Sequence, residues 1–369
     1  MISRCGSAIR TWGVRILSVA AMGMLWISSV PASADGAAAN GIGYVVGLQN
    51  PEDILQIGDS EWLLVSGLLS WTNDPASRGH IYLVNRLDLS SEVLFPGRNP
   101  VFRQDRRMFP DCPGPIDPDH FSAHGLALKQ MSAGRYRLYM TSHGGREAIE
   151  IFDVDARGAK PAIAWVGCVP LPERMWGNSV AILKDGGFLA TKSKDSTNPD
   201  AFAHLVEARL TGAVYEWHPG GPVTQVPGTE LSGPNGLVVS PDDRWLYVAA
   251  MGTHAVVRFD RHAPMTGQPV GIPIYPDNIH WGDDGMLYAI GRNYVPSADG
   301  TNCPLLNCGT GWSIVRIDPD SLAVERVAGV DQTAILHAAS AVITAGDRFW
   351  IGNFDGDRIG YLSRRPPAP

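Results

Sequence analysis

Acidic and amide side chains recur along this chain at the start of short apolar segments, and together they form a donor set for a hard cation. Glu52 and Asp277 supply carboxylates, while Asn178, Asn235 and Asn278 supply neutral carbonyl oxygens. Calcium binds roughly six to eight oxygens in irregular geometry, whereas zinc sites are typically built from thiolate and imidazole. If the fold brings these five positions together, the residue types predict a calcium site, with magnesium or manganese as alternatives.

Two histidines form a second chemical feature. His124 lies in Ser-Ala-His-Gly and His143 in Thr-Ser-His-Gly-Gly, at the outer ends of two consecutive apolar segments. If these segments pair as antiparallel neighbours, both imidazoles lie at the same end of one sheet. Histidine is the side chain whose ordinary pKa lies closest to neutrality. We therefore predict that His124 takes a proton from a water molecule and that His143 orients it.

Further polar and aromatic residues fall near the same segment starts. His337 lies three residues before Ser340, which opens the last group of apolar segments. Tryptophans in or beside neighbouring loops have the character of a substrate pocket wall, although a core packing role is the alternative for each. The sequence predicts a pocket lined by His337, Ser340, Trp71, Trp176 and Trp281.

The segments that would position these residues repeat six times. The clearest unit runs from Asn235 through the apolar segments 237–239 and 245–250 to 255–260, with Pro-Asp-Asp and Gly-Thr-His turns between them. Such strand-length segments separated by turn residues indicate an all-β chain. Five units are followed by a fourth apolar stretch, and residues 43–48 precede the first unit. We predict a six-bladed β-propeller with four-stranded blades, closed by the N-terminal strand, in which the segment starts converge on a central channel.

The first 34 residues have the layout of a secretory signal. Arg4, Arg10 and Arg15 precede an apolar run of 16–30, and Ala-Ser-Ala follows at 32–34. The run is shorter than the roughly 20 residues that span a bilayer, so a single-pass anchor is the less favoured alternative. We expect cleavage after residue 34, a single domain over 35–369, and a periplasmic or secreted location.

Cysteine content and charge agree with that location. Four cysteines remain after the signal, an even number suited to an oxidising compartment. Cys303 with Cys308 and Cys112 with Cys168 is one of three pairings, and the sequence does not choose among them. A thiolate zinc site is disfavoured by the spacing. The net charge is −7, so the chain lacks the basic surface that nucleic acid requires.

The ordered fragments resemble the calcium-dependent six-bladed propellers of the paraoxonase/arylesterase and gluconolactonase (regucalcin) superfamily. Pro51-Glu-Asp-Ile-Leu resembles the Glu-Asp metal motif of that family, and His124-Gly-Leu with Ser142-His143 resembles its histidine dyad. Asn178, Asn235-Gly-Leu and Asp277-Asn-Ile are similar to its remaining metal ligands. The resemblance implies a catalytic calcium at the five oxygen donors and hydrolysis of lactones or other esters.

The resemblance also implies a second, structural calcium near Asp53 and the carbonyl of Leu126. Here the chain departs from the family, because Ser179 stands where the family has an acid. The rival function is a propeller that binds a ligand or partner without catalysis, with calcium serving stability alone. A strictosidine-synthase-like propeller is a third and weaker reading, because such propellers typically lack this acid and amide set.

Overall fold

Antiparallel β-sheet makes up most of the computed structural model, which describes residues 41–69, 77–263, 266–294 and 311–364. One short α-helix, α1 (Ala201–Val206), and two 3₁₀ turns, Pro118–His120 and Met251–Thr253, accompany the strands. Among these residues, no helix combines the length and apolar character needed to cross a lipid bilayer. The described residues form one compact unit by their contacts.

The described strands form six four-stranded sheets, numbered here as blades 1 to 6 in chain order. In blades 1 to 5, four consecutive strands pair as hairpins, so the first is innermost and the last outermost. The first strand of the described residues is β1 (Gly43–Val46). Blade 1 contains β2 (Pro51–Gln56), β3 (Trp62–Gly67), β4 (His80–Asn85) and β5 (Ser91–Phe95). Blade 2 contains β6 (Phe121–Ser132), β7 (Arg135–Gly144), β8 (Ala148–Asp155) and β9 (Ala162–Pro170).

The later blades repeat the same order. Blade 3 contains β10 (Met175–Ile182), β11 (Phe188–Asp195), β12 (Ala213–Trp217) and β13 (Thr224–Gln225). Blade 4 contains β14 (Pro234–Val239), β15 (Trp245–Ala250), β16 (Ala255–Asp260) and β17 (Gln268–Gly271). Blade 5 contains β18 (Ile274–Trp281), β19 (Leu287–Asn293), β20 (Trp312–Ile317) and β21 (Val324–Val330). Blade 6 contains β22 (Ala339–Ala345), β23 (Arg348–Asn353), β24 (Arg358–Ser363) and the returning β1.

The pairing of β1 with β24 closes the ring of blades. Gly43 pairs with Tyr361 and Val46 with Arg358, so the first strand of the chain becomes the outer strand of the last blade. Closure removes the unpaired sheet edges that an open array would expose. The predicted all-β fold, the six four-stranded blades and the N-terminal closing strand are confirmed.

The hydrophobic core lies between neighbouring blades. Leu189 of blade 3 packs in one cluster with Leu246 of blade 4, and Tyr247 of blade 4 packs in another with Ile279 of blade 5. Similar clusters join blades 5 and 6, blades 6 and 1, and blades 1 to 3. Because each sheet buries both faces against its neighbours, its strands are rich in large apolar residues rather than alternating strictly. Packing around the whole ring fixes the inner strands relative to one another.

Every inner strand carries a β-bulge near its start, and this repeated irregularity positions the channel residues. In each blade, a step of three residues along the inner strand matches a step of two along its partner. In blade 1, for example, Pro51 pairs with Gly67 and the next paired residue, Ile54, pairs with Val65. A bulge leaves its extra residue outside the ladder and redirects side chains. The six residue pairs inside these bulges, called the axial pairs below, are 52–53, 124–125, 178–179, 235–236, 277–278 and 340–341.

Two axial pairs require glycine as their second residue. A Cβ on Gly125 would lie 2.5 Å from the carbonyl oxygen of Asn178 in the next blade. A Cβ on Gly236 would lie 2.6 Å from the Cα of Asn278. Inner strands therefore approach backbone to backbone at the channel, which brings their axial side chains within contact distance.

The structure contains one of the two disulfides of the pairing Cys112 with Cys168 and Cys303 with Cys308. Cys112 and Cys168 form a disulfide that joins the segment before β6 to strand β9 across 56 residues of sequence. Cys303 and Cys308 lie outside the described residues, as do Trp71 and the predicted signal at 1–34.

Candidate functional site

The axial pairs bring the predicted oxygen donors into one buried network. Glu52 is 1% exposed, and its Oε1 accepts a hydrogen bond of 2.6 Å from Nδ2 of Asn278, across 226 residues of sequence. The same oxygen lies 3.7 Å from Nε2 of His124. Nδ2 of Asn178 lies 3.4 Å from that imidazole nitrogen. Donors from blades 1, 2, 3 and 5 thus meet at the channel.

Blade 4 joins this network through Asp277. The amide of Asn235 is close enough to favour the ionised form of the Asp277 carboxyl, and both side chains are buried. We use the term axial oxygen set for the five predicted donors, which are Glu52, Asn178, Asn235, Asp277 and Asn278. The structure places all five near the start of the inner strands, beside the central channel.

Four buried oxygens of the axial oxygen set accept no hydrogen bond. They are Glu52 Oε2, Asn178 Oδ1, Asn235 Oδ1 and Asn278 Oδ1. Leaving a buried acceptor unpaired costs about 1–3 kcal/mol, so four such atoms together represent a large part of an ordinary domain's stability. Unpaired oxygens from four blades are the expected condition of ligands that face a cation.

The pKa shifts of the two carboxyl groups lead to the same conclusion. Burial raises the pKa of Asp277 to about 7, although nearby Asn235 and Arg292 oppose the shift. Burial, followed by repulsion from Asp53 and Asp277, raises the pKa of Glu52 well above its usual range. These two carboxylates are disfavoured in their charged form unless a positive charge lies between them.

The donor set fits a hard cation such as calcium better than zinc or copper. Within the described residues, no group of three or more His, Cys, Asp or Glu side chains is arranged to hold a metal ion. Amide oxygens therefore have to supply most ligands alongside the carboxylates of Glu52 and Asp277. Neutral and charged oxygen donors together are the combination that suits calcium, magnesium and manganese.

The two predicted histidines are in contact, and a glutamate extends the pair. Nδ1 of His124 lies 2.8 Å from Nε2 of His143. Nδ1 of His143 in turn lies 2.8 and 2.9 Å from the two carboxylate oxygens of Glu147. The sequence interpretation missed Glu147, although an acid four residues after a candidate histidine is a signal that could have identified it.

The chain of contacts from His124 through His143 to Glu147, called the relay below, determines which ring nitrogen of each histidine carries the proton. A carboxylate only accepts hydrogen bonds, so Nδ1 of His143 carries a proton toward Glu147 and, in the neutral ring, Nε2 accepts. Nδ1 of His124 then donates to His143, which leaves Nε2 of His124 unprotonated, as an acceptor facing Nδ2 of Asn178. That nitrogen faces the axial oxygen set. Burial, with additional repulsion from His143 and Lys194, lowers the pKa of His124 well below its usual value and keeps the ring neutral.

Trp176 covers the outer side of the relay. Its ring stacks on His143 with centroids 4.2 Å apart and an interplanar angle of 16°. Nζ of Lys194 lies 4.7 Å from the tryptophan ring centroid. Trp176 is half-buried and restrains the ring of His143, and its role in a substrate pocket stays a prediction.

Three other predicted pocket residues lie in different surroundings. Ser340 is fully buried and donates a 2.6 Å hydrogen bond to the carbonyl of Glu52, so its predicted contact with substrate is wrong. The bulge turns its hydroxyl toward the neighbouring blade, where it holds Glu52 in place. His337 lies 3.2 Å from the carboxylate of Asp355 and is partly exposed.

Trp281 lies at the opposite end of the channel. It ends β18, four residues beyond Asp277, which corresponds to about 13 Å along a strand. Its Nε1 donates to the carbonyl of Val239, and its ring lines a separate cavity of about 530 Å³ at the strand ends. The prediction that Trp281 shares a pocket with His124 was therefore wrong, because the loop after an inner strand opens on the other face of the propeller.

Comparisons with known proteins agree with the fold. The SMP-30/gluconolactonase/LRE-like region matches residues 124–290, from the first axial histidine to β19. This match confirms the resemblance to the gluconolactonase superfamily. No curated protein sequence matches the chain.

Solved structures of similar fold cover most of the chain at low identity. A gluconolactonase from Xanthomonas campestris is 20% identical with a TM-score of 0.52, and the match covers 90% of this chain and 96% of that one. A luciferin-regenerating enzyme is 13% identical with a TM-score of 0.52, covering 86% and 92% of the two chains. A virginiamycin B lyase from Staphylococcus aureus is 14% identical with a TM-score of 0.49, covering 87% and 98%. At these identities the likeness to the gluconolactonase and to the luciferin-regenerating enzyme establishes the fold alone.

Proposed function

We propose that this protein is a calcium-dependent hydrolase of lactones or other carboxylic esters. The observation that carries the proposal is the position of Nε2 of His124, an unprotonated nitrogen that lies 3.7 Å from Glu52 and 3.4 Å from Asn178. A proton acceptor and a set of unpaired oxygens thus occupy one buried site. The gluconolactonase-like region that covers the same residues supports this reaction class.

The axial oxygen set would hold the ion through Glu52, Asn178, Asn235, Asp277 and Asn278. A bound calcium supplies a positive charge that polarises an ester carbonyl and stabilises negative charge on its oxygen. Asn278 keeps Oε1 of Glu52 fixed by its hydrogen bond, so that Oε2 remains free. Ser340 fixes the Glu52 backbone from the neighbouring blade.

His124 performs the proton transfers. Its Nε2 takes a proton from a water molecule whose oxygen attacks the carbonyl carbon. His143 accepts the hydrogen bond from Nδ1 of His124, and Glu147 stabilises the positive charge that the two rings then share. When the bond between the carbonyl carbon and the ester oxygen breaks, His124 returns the proton to the departing alkoxide. A lactone ring opens to a hydroxy acid by these steps.

Calcium removal and return test the proposal. Purified protein is assayed with γ- and δ-lactones and with phenyl acetate, before and after treatment with EGTA and after readdition of calcium. The proposal predicts that chelation abolishes hydrolysis and that calcium restores it. Hydrolysis that is indifferent to chelation would contradict it.

Two variants separate metal binding from proton transfer. Glu52→Gln should lose calcium and activity together, because it removes a carboxylate from the axial oxygen set. His124→Gln should retain calcium and lose turnover. Glu61→Gln, in the turn between β2 and β3, is a matched control that should behave like the wild-type protein.

The same assays address the non-catalytic alternative. A binding propeller with a stabilising calcium would gain thermal stability from the ion by mass action and hydrolyse none of the esters. The buried disulfide between Cys112 and Cys168 supports the further proposal that the protein works in the periplasm or outside the cell, since such bonds persist in oxidising compartments.

A further inference from the structure

The carboxylate of Asp53, directly after Glu52, has surroundings opposite to those of the axial oxygen set. Asp53 is completely buried. Its Oδ1 accepts hydrogen bonds from the amide of Ile54 at 2.8 Å and from Nε2 of His280 at 2.7 Å. Its Oδ2 accepts a hydrogen bond of 2.7 Å from the amide of Leu126. Both oxygens of this carboxylate are thus occupied by donors of the chain itself.

These contacts disagree with the second calcium implied by the family resemblance. Leu126 presents its amide N–H to Asp53, which is a donor and repels a cation. Ser179 supplies no carboxylate where the family has an acid, and its backbone amide donates to the hydroxyl of Thr191 at 3.0 Å. The residues around Asp53 therefore do not fit a bound ion.

His280 occupies the position that such an ion would need. It follows Asn278 by two residues in β18, beyond the bulge that contains Asp277 and Asn278. Asn278 faces the axial oxygen set, whereas His280 lies deeper in the channel against Asp53. His280 also lines the cavity of about 530 Å³ at the opposite end of the channel.

We propose that the hydrogen bond between His280 and Asp53 replaces the second ion and that the chain binds one calcium, at the axial oxygen set. The bond joins blade 5 to blade 1 across 227 residues, and Leu126 adds blade 2 to the same carboxylate. The count of one ion rests on the proposed function, whereas the metal-free contact at Asp53 does not.

Calcium stoichiometry tests this inference without measuring catalysis. Bound calcium is determined by elemental analysis and by isothermal titration for the wild-type protein, His280→Asp and His280→Gln. The wild-type protein should bind one ion per chain. His280→Asp, which places a second carboxylate beside Asp53, should bind one ion more than wild type and gain more thermal stability from added calcium. His280→Gln should keep the wild-type count.

A matched control and a reference variant separate the two proposals. Gln56→Glu adds the same negative charge to the wall of the same cavity, away from Asp53, and should leave the count unchanged. Glu52→Gln should abolish the ion that the wild-type protein binds. A wild-type count of zero would refute the axial calcium. His280→Asp should still bind one ion more than wild type in that case, and this result would support the inference about Asp53. A wild-type count of two, loss of an ion in His280→Gln, or equal counts in His280→Asp and wild type would overturn it.

Discussion

Glu147 is the residue whose replacement tests the proposed relay most specifically, because it contacts neither the axial oxygen set nor the reacting atoms. Its carboxylate accepts the Nδ1 proton of His143 at 2.8 and 2.9 Å. Glu147→Gln retains the size of the side chain and removes its charge. The tautomer of His143 is then no longer fixed, and the positive charge that develops during proton transfer loses its partner.

The expected loss follows from the value of that hydrogen bond. A hydrogen bond to a charged group contributes about 1.5–3 kcal/mol, and each 1.4 kcal/mol corresponds to tenfold in rate. The Glu147 side chain is 27% exposed, so solvent screens it only in part. We expect kcat/KM of Glu147→Gln to fall roughly 10- to 150-fold, mainly through kcat, with calcium affinity unchanged.

The assay is lactone hydrolysis over a range of pH, with calcium titration on the same samples. Glu147→Asp should recover part of the lost rate, since it restores the charge at a longer distance. Glu173→Gln, an exposed acid just before β10, serves as the control for a lost surface charge. Unchanged kcat in Glu147→Gln would refute the relay, and a parallel loss of calcium would show that Glu147 acts through the metal site instead.

Four further predictions concern the ion and the scaffold. Calcium affinity should fall about tenfold for each pH unit below 7. The raised pKa of about 7 leaves Asp277 protonated at lower pH, and the ion must displace that proton. Isothermal titration at pH 5.5 and pH 8 measures the difference. Without calcium, the raised pKa of Asp277 makes folding less favourable as pH rises, because the protonated carboxyl favours the folded state. The free energy of unfolding in EGTA should therefore decrease between pH 4 and 7. Gly125→Ala should cost about 1–3 kcal/mol in urea unfolding because its Cβ meets backbone of the next blade, whereas Gly271→Ala, with open space at its Cβ, should be nearly neutral. Replacing Cys112 and Cys168 together with alanine should lower the free energy of unfolding by about 2–4 kcal/mol, as expected for a loop of this length, and an unchanged transition would contradict a structural role.

Much of the fold could be predicted from the sequence because each blade is a local structure. Strands within blades 1 to 5 are consecutive hairpins, so turn residues between apolar segments reveal them directly. Closure by residues 43–48 followed from counting outer strands, since five units had a fourth segment and the last lacked one. Trp281 shows the limit of this reasoning: its place in a loop was evident, whereas the face on which that loop opens depends on strand direction.

The candidate site was predictable only where the repeat itself marked a residue. The axial pairs stand at equivalent positions of six units, so their convergence follows from the propeller. The bulges that redirect them are invisible in a pattern of apolar and polar residues. The contact of His280 with Asp53 spans 227 residues and has no equivalent in the repeat, and Ser340 needed the neighbouring blade to explain its buried hydroxyl.

A crystal structure of the wild-type protein grown with calcium provides the most direct test of the axial site. The account predicts one ion, about 2.3–2.6 Å from Glu52 Oε2, from the Oδ1 atoms of Asn178, Asn235 and Asn278, and from a carboxylate oxygen of Asp277, which is the usual range for calcium and oxygen. An ion bound elsewhere in the channel, or these five oxygens hydrogen bonded to protein donors with no cation among them, would contradict it.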